Sequence, residues 1–212
     1  SNLDPEKSNA FEVGAKGGFG NRFFYDVAFF YLRVRDAIVP FGAGADTFAR
    51  NAAKVHRHGI EAAFSAYLGR GVSVRSSYTY AHYKYHDYDS PLLADGNWEP
   101  NIPRHAFGGE LRWKSPSGAF AEISLRYFSD IEVNDDNSAR SDGATISNVR
   151  AGFEWRRGDL LIRPFAGVQN WTNVEYNGTV RPNAGFGRYY EPAPKAVVYA
   201  GIEIGFSLGE IR

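Results

Sequence analysis

The chain is governed by a two-residue alternation that separates oil from charge. In YAGIEIGF (199–206), Ala200, Ile202, Ile204 and Phe206 share one parity, and Tyr199, Gly201, Glu203 and Gly205 the other. Successive side chains of a strand point to opposite faces, so this segment reads as a strand with one apolar and one polar side. The pattern recurs along the chain. Phe11, Val13 and Ala15 oppose Glu12, Gly14 and Lys16; Ile60, Ala62 and Phe64 oppose Glu61, Ala63 and Ser65; Ile123, Leu125 and Tyr127 oppose Glu122, Ser124 and Arg126. Expected strands cover 9–16, 22–38, 55–68, 71–86, 105–113, 118–128, 145–156, 160–170 and the closing stretch, about nine in all. A blurred pattern near Leu32 predicts a bulge.

The polar face is charged. Its parity collects Glu12, Glu61, Arg75, Glu110, Arg112, Glu122, Arg126, Arg150, Glu154, Arg163 and Glu203. Unpaired ions in a dry core cost several kcal/mol each. That surface must therefore meet water or something polar, while the opposite one, nearly free of charge, suits lipid. The connections are sorted as well. GGFGN, GRG, SPSG and RRGD read as short glycine-marked turns, and they alternate with long polar loops around 39–54, 87–104, 129–144 and 171–194. An up-and-down sheet then carries its tight turns at one end and its long loops at the other, as outer-membrane barrels do. A soluble sandwich has no reason to sort loops this way.

Composition agrees. Aromatics make up 16% of 212 residues, and 24 basic residues balance 24 acidic ones. A neutral chain has no general electrostatic pull toward nucleic acid, which is not expected as a partner. There is no cysteine, so disulfides and thiolate-bound metals are excluded. With no methionine even at position 1, the chain reads as a product that starts downstream of a natural start. The mean hydropathy of −0.39 does not argue against a membrane wall, because alternation hides the lipid-facing half of each strand.

Four segments carry a family resemblance. LDPEKSNAFEVGAKG (3–17) resembles an L-x-P-E-x-S segment followed by an E-x-G strand, and HGIEAAF (58–64) a G-[VIL]-E strand start. PFAGVQNWTNVEY (164–176) resembles a G-V-x-N-L stretch before a last outside loop, with Trp171 in place of the usual Leu. YYEPAPKAVVYAGIEIGF (189–206) resembles a closing strand, although SLGEIR follows Phe206 where such chains normally stop. In order and extent these resemble the C-terminal part of a TonB-dependent outer-membrane receptor, the ferric-siderophore type especially. The resemblance implies an all-β, antiparallel, up-and-down transmembrane β-barrel segment, about nine strands of a larger, 22-stranded barrel with a plugged lumen. Residues 1–212 would be its C-terminal portion, with plug and N-terminal barrel strands absent. The implied partners are that plug and those strands, TonB through the absent part, outer-membrane lipid and a small-molecule metal chelate. The implied function is import of a scarce nutrient such as an iron–siderophore chelate across the bacterial outer membrane. A passive porin or adhesin-type barrel is the alternative.

Candidate sites follow from parity and height. Tyr83 and Tyr85, from the aromatic run YTYAHYKYHDY (78–88), fall on the polar parity near the long loops, where a chelate would pass; Arg57 and Trp98 are weaker candidates. The charged set reads as a plug-facing lumen wall. Tyr199, Gly201, Ile204 and Phe206 form the implied barrel-assembly signal. All five histidines, His56, His58, His82, His86 and His105, fall near the long-loop ends, and the parities of His58, His82 and His105 direct them outward, away from a substrate path. No metal site, cofactor or catalytic group is expected, since no nucleophile–base, metalloprotease or phosphate-loop motif is present. The run NDDNSARSDG (134–143) reads as a solvated outside loop. An odd number of up-and-down strands cannot close with antiparallel pairing throughout, so the first and last strands are expected to be bare edges.

Overall fold

The structure, a computed structural model, describes residues 3–41, 48–86 and 95–206. Its main sheet is a meander of long strands: β1 (Lys7–Phe19), β2 (Phe23–Phe41), β3 (Phe48–Gly69), β4 (Val72–His86), β5 (His105–Lys114) and β6 (Ala119–Phe128). Beyond two short strands, β7 (Ile131–Glu132) and β8 (Arg140–Ser141), it continues through β9 (Ala144–Phe153), β10 (Trp155–Arg157) and β11 (Leu160–Gln169). The pair β12 (Asn177–Val180) and β13 (Tyr190–Pro192) precedes the closing β14 (Val197–Phe206). Every neighbouring pair is antiparallel, and β9 and β10 pair with β11 on either side of a break at Glu154. Counting β9 and β10 as one broken strand, the main sheet has the nine strands that the alternation predicts. Among the described residues β1 and β14 do not pair, so the sheet is open with those two at its edges.

Register carries the alternation across the whole sheet. Residues directly opposite in an antiparallel pair share a face. The apolar row Val13, Phe29, Ile60, Tyr80 and His105 is one continuous cross-strand line. So is Leu111, Ile123, Val149, Val168 and Val198. On the other face Arg75 lies opposite Glu110, Arg112 opposite Glu122, Glu122 opposite Arg150, and Arg163 opposite Glu203. The charged face is concave. A groove of about 960 Å³ runs along it, lined by Asp26, Arg75, Glu110 and Arg126 among others. The apolar face is left bare, with Phe29, Ile60, Phe64 and Ile123 exposed.

The ladder departs from the sequence reading in two places. The expected bulge near Leu32 lies a little further on, between Val34 and Ala37, where Asp36 takes a left-handed φ of 58°. The expected loop at 39–54 is largely strand: pairing continues through Val39↔Arg50 to Phe41↔Phe48. A bulge tightens local twist without ending the pairing, so β2 and β3 climb well beyond the ten or so residues that cross a bilayer. Residues 42–47 and the tail 207–212, which includes SLGEIR, lie outside the described residues.

The turns at the other end are tight. Gly71 has φ +78°, and a Cβ built there would sit 1.8 Å from the Lys114 carbonyl oxygen. That carbonyl belongs to the neighbouring hairpin, whose Lys114 N–H donates to the Gly71 carbonyl oxygen at 2.9 Å. Gly71→Ala therefore meets left-handed strain and a backbone clash together. Its expected cost is about 2–3 kcal/mol, read as a lowered urea midpoint of the folded, heat-modifiable form of the complete protein; an unchanged midpoint would refute this account of the turn.

Candidate functional site

The eleven charged residues predicted on the polar parity all fall on the concave face. Near the tight-turn end ion pairing falls into two groups, one around Arg112 and one around Glu154 that includes Lys114. Arg112 Nε lies 2.8 Å from Glu110 and 3.4 Å from Glu122. Glu154, at the break between β9 and β10, accepts from Lys114 Nζ at 3.0 Å and from Arg163 Nη2 at 2.7 Å. Arg163 then reaches Glu203 on β14 at 2.8 Å. Arg150 is held over the Phe165 ring at 4.0 Å, and its buried Nε has no hydrogen-bond partner among the described residues. Partly exposed pairs of this kind stabilise little. What they do is keep the concave side of the wall polar.

The long-loop end holds the predicted contact residues, and the structure separates them. Arg57 and Tyr83 are opposite each other on β3 and β4, with the guanidinium 5.8 Å from the ring centroid. Arg57 is clamped by a bidentate pair to Glu99, both contacts 2.7 Å, and Tyr83 meets Phe30 edge-on at 6.1 Å. Glu99, buried to 9% exposure, is the partner that sequence reading missed; nothing in a loop without periodicity marks it. Tyr85 shares the face but is only 6% exposed, packed in a small core with Val34, Ala37 and Val55. Its hydroxyl donates to Asp135 at 2.8 Å, so the ring is covered by a loop and not presented to a passing solute. Trp98 is on the opposite face. It bridges to Lys84, its ring lies 4.7 Å from His82, and it carries Lys84 Nζ at 4.5 Å and the Arg104 guanidinium at 4.2 Å. Trp98 does not share the concave face with Arg57, because its segment pairs with β4 edge to edge and sets Trp98 opposite outward-facing Lys84 and Glu99 beside inward-facing Tyr83.

The long loops are built and packed. NDDNSARSDG is only in part the solvated loop expected: Asp136, Ser138, Arg140, Asp142 and Gly143 are exposed, but Asn134, Asp135 and Ser141 are each under 9% exposed. Asparagine side chains take over the loop's backbone bonds. Asn134 accepts from the Ala139 N–H and donates to Ser138, and Asn137 donates to the carbonyls of Trp98 and Asn134. Asn183 accepts from the Asp135 N–H, and Asn170 closes on Val174 in both directions. Asn101, Asn137, Asn170, Asn173 and Asn183 all adopt positive φ, which asparagine tolerates better than most residues. At the closing strand, Tyr199 and Gly201 lie on the concave face and Ile204 and Phe206 on the bare apolar one. The Phe165 ring lies so close over Gly201 that a Cβ there would come within 2.6 Å of it.

This two-faced, loop-capped sheet has known counterparts. Residues 1–172 match the family described as TonB dependent receptor-like, beta-barrel. The chain belongs to that family. Among solved structures, the siderophore receptor PiuA from Acinetobacter baumannii aligns with TM-score 0.78 at 16% identity, over 96% of this chain and 29% of its own. The ferric citrate transporter FecA in its unliganded form gives 0.79 at 16%, over 94% and 31%. The copper transporter OprC gives 0.75 at 18%, over 95% and 31%. The chain thus spans under a third of the length of these relatives, and at such identities the likeness is one of fold. TonB-dependent receptor barrels are transporters of the bacterial outer membrane, not enzymes.

Two outcomes follow from the rim. Glu99→Ala leaves Arg57 half-buried without its partner and should loosen residues 95–101 from β4, at about 1–3 kcal/mol; faster amide exchange at Trp98 and Glu99 is the readout, and unchanged exchange refutes it. Burial is the main cause that holds the Asp135 carboxyl above its ordinary value, with Glu99 and Asp136 adding to it against the hydrogen bonds from Tyr85 and Asn183. A folded-state value above the unfolded one means stability is gained as pH falls through the folded value and lost as it rises. Protease resistance within 131–141 should increase as pH falls toward the ordinary carboxylate range, and Asp135→Asn should flatten that dependence.

Proposed function

We propose that this chain forms the C-terminal nine strands of a receptor that imports a scarce nutrient, an iron–siderophore chelate being the best-supported class. The plug and remaining barrel strands come from the same receptor, and TonB acts through that other part. One observation carries the reading: a wall with a bare apolar exterior and a concave interior lined by eleven charged residues. Such an interior suits a polar stopper filling a wide barrel better than a packed core. The interior ion-paired set of Glu110, Arg112, Glu122, Glu154, Arg163 and Glu203 is the proposed seat of the plug. Arg57 and Tyr83, near the built loops, are the proposed first contacts for an anionic or catecholate-bearing chelate. Tyr199, Gly201, Ile204 and Phe206 are the proposed assembly signal. Two of the relatives that share the fold are a siderophore receptor and a ferric citrate transporter, which supports iron, while the copper transporter keeps the metal to be settled by uptake.

The test is uptake in the organism that carries the complete gene. Deleting the gene should abolish accumulation of at least one radiolabelled ferric chelate under iron starvation, and uptake by the intact strain should stop on loss of TonB. Solute entry that follows concentration and ignores TonB would replace this reading with a passive porin.

A further inference from the structure

Two histidines on the outer face meet ring to ring across β3 and β4. Antiparallel register sets His58 directly opposite His82. Their rings stack with centroids 4.5 Å apart and planes 23° from parallel. A membrane-crossing strand needs about 9–11 residues. Counting ten from the tight turns, β3 reaches Ile60 and β4 reaches Ala81, so the pair stands just past the apolar band. Both residues are half-buried, so their rings are held in place yet reachable. Outward parity keeps them off the concave side and apart from any solute passing there.

The surroundings suit a metal ion. Trp98 meets the His82 ring edge-on at 4.7 Å, and Tyr31, opposite His58 on β2, backs the other ring at 6.3 Å. The Tyr80 hydroxyl lies 3.3 Å from His82 Nδ1. A hydrogen bond at one ring nitrogen sets the role of the other, so Nε2 is the atom left to coordinate. Imidazole nitrogens bind zinc at about 2.0–2.1 Å, which puts two of them roughly 3.3 Å apart around a tetrahedral ion. The stacked rings reach that spacing by turning about χ2, a torsion with a broad minimum. Among the described residues no third histidine or carboxylate completes a cluster, so the pair supplies two ligands and water the rest. A second pair, His56 and His86, stacks at 4.7 Å, and His56 Nε2 is buried with no hydrogen-bond partner there. But His56 lies directly opposite both Arg33 and Lys84, cations that repel a dication, whereas His58 lies opposite Tyr31. An interfacial girdle needs only aromatic rings; two imidazoles in register add lone pairs that a tyrosine pair lacks.

We propose that His58 and His82 chelate a divalent transition-metal ion, copper(II) ahead of zinc(II), and so staple β3 to β4 at the level of the outer rim. Copper(II) leads because affinity for nitrogen ligands peaks there along the first-row series, and two imidazoles with water in the other positions fit its tetragonal geometry. An ion that binds only the folded sheet stabilises it, and bridging the two strands slows their local opening. The inference rests on the register of β3 and β4 and holds whichever nutrient the receptor imports.

The complete receptor, without an affinity tag, is stripped with EDTA, freed of it and titrated in mild detergent with copper(II). Coordination is read from the nitrogen hyperfine structure of the copper EPR spectrum, and amide exchange across 56–60 and 80–84 is followed with and without zinc(II). The wild type should show a saturable two-nitrogen copper signal and slower exchange in both segments. His58→Gln with His82→Gln should remove both effects while the protein keeps its heat-modifiable folded mobility. Tyr80→Phe should weaken copper binding about tenfold, as loss of a partner to a ligand does. His105→Gln, whose ring is tied to the Tyr78 hydroxyl at 2.8 Å, should leave the signal intact. Absence of a two-nitrogen signal in the wild type, or its persistence in the double variant, overturns the proposal. So does its loss in His56→Gln or His86→Gln alone, which would move the ion to the neighbouring pair.

Discussion

The register of the backbone hydrogen-bond ladder is what every other feature depends on. Because side chains alternate with period two, a slip of one residue in any strand would turn its charges to lipid and its isoleucines to the lumen, and would pass the error to its neighbours. The places where register does shift are harmless. Two lie between Val34 and Ala37 and between Ala37 and Ile38, above the membrane-crossing portion, and the third between Tyr67 and Gly69, beside a tight turn. The break at Glu154 also preserves parity, since Phe153 and Trp155 stay on the apolar face and Glu154 is freed to gather Lys114 and Arg163. Irregularity sits where a twist or an extra ligand is useful and the faces are not at risk.

How legible this was follows from the same rule. The strands could be read because lipid on one side and water on the other enforce a pattern that survives in single residues, so the eleven charged positions and the histidines could be assigned to faces without coordinates. The rim could not be read that way. Arg57 was visible from its parity, but its partner Glu99 comes from a loop, 42 residues on. The face of Trp98 is not legible in the sequence, because it depends on the register in which an irregular segment pairs with β4. The loop at 134–143 was misread for a related reason. Acidic and asparagine-rich composition looks solvated, yet Asn134 and Asn137 satisfy the loop's own backbone and so allow part of it to be buried.

Charge is used differently on the two sides of the wall. On the concave face cations and anions are interleaved across neighbouring strands, so that Arg112 meets Glu110 and Glu122 while Arg163 meets Glu154 and Glu203, and the surface is polar but partly neutralised. Above the apolar band on the convex face, Arg33, Arg35, Lys54 and Lys84 share the outward parity of β2–β4 with rings and with no carboxylate among the outward positions from Tyr31 to Arg35, Lys54 to His58 and Tyr80 to His86. A neutral chain overall therefore hides a strong local asymmetry, which net charge, averaged over 24 acids and 24 bases, cannot reveal.

The edges follow from direction. In a meander the first and ninth strands run the same way, so β1 and β14 could meet only by parallel pairing, which no other neighbours in this sheet use. Their side chains reflect that position. Phe11 and Val13 on β1 are each 69% exposed, and Val198, Ile202 and Phe206 on β14 reach 78%, 68% and 71%, against 48% for Phe29 and 40% for Ile60 inside the sheet. Lipid can cover those side chains, but it cannot satisfy the unpaired N–H and C=O groups of the same strands, and each such group left in hydrocarbon is costly. An all-antiparallel wall built on this chain thus requires an odd number of further strands between β14 and β1. Thirteen, the difference between nine and the family's 22, is odd.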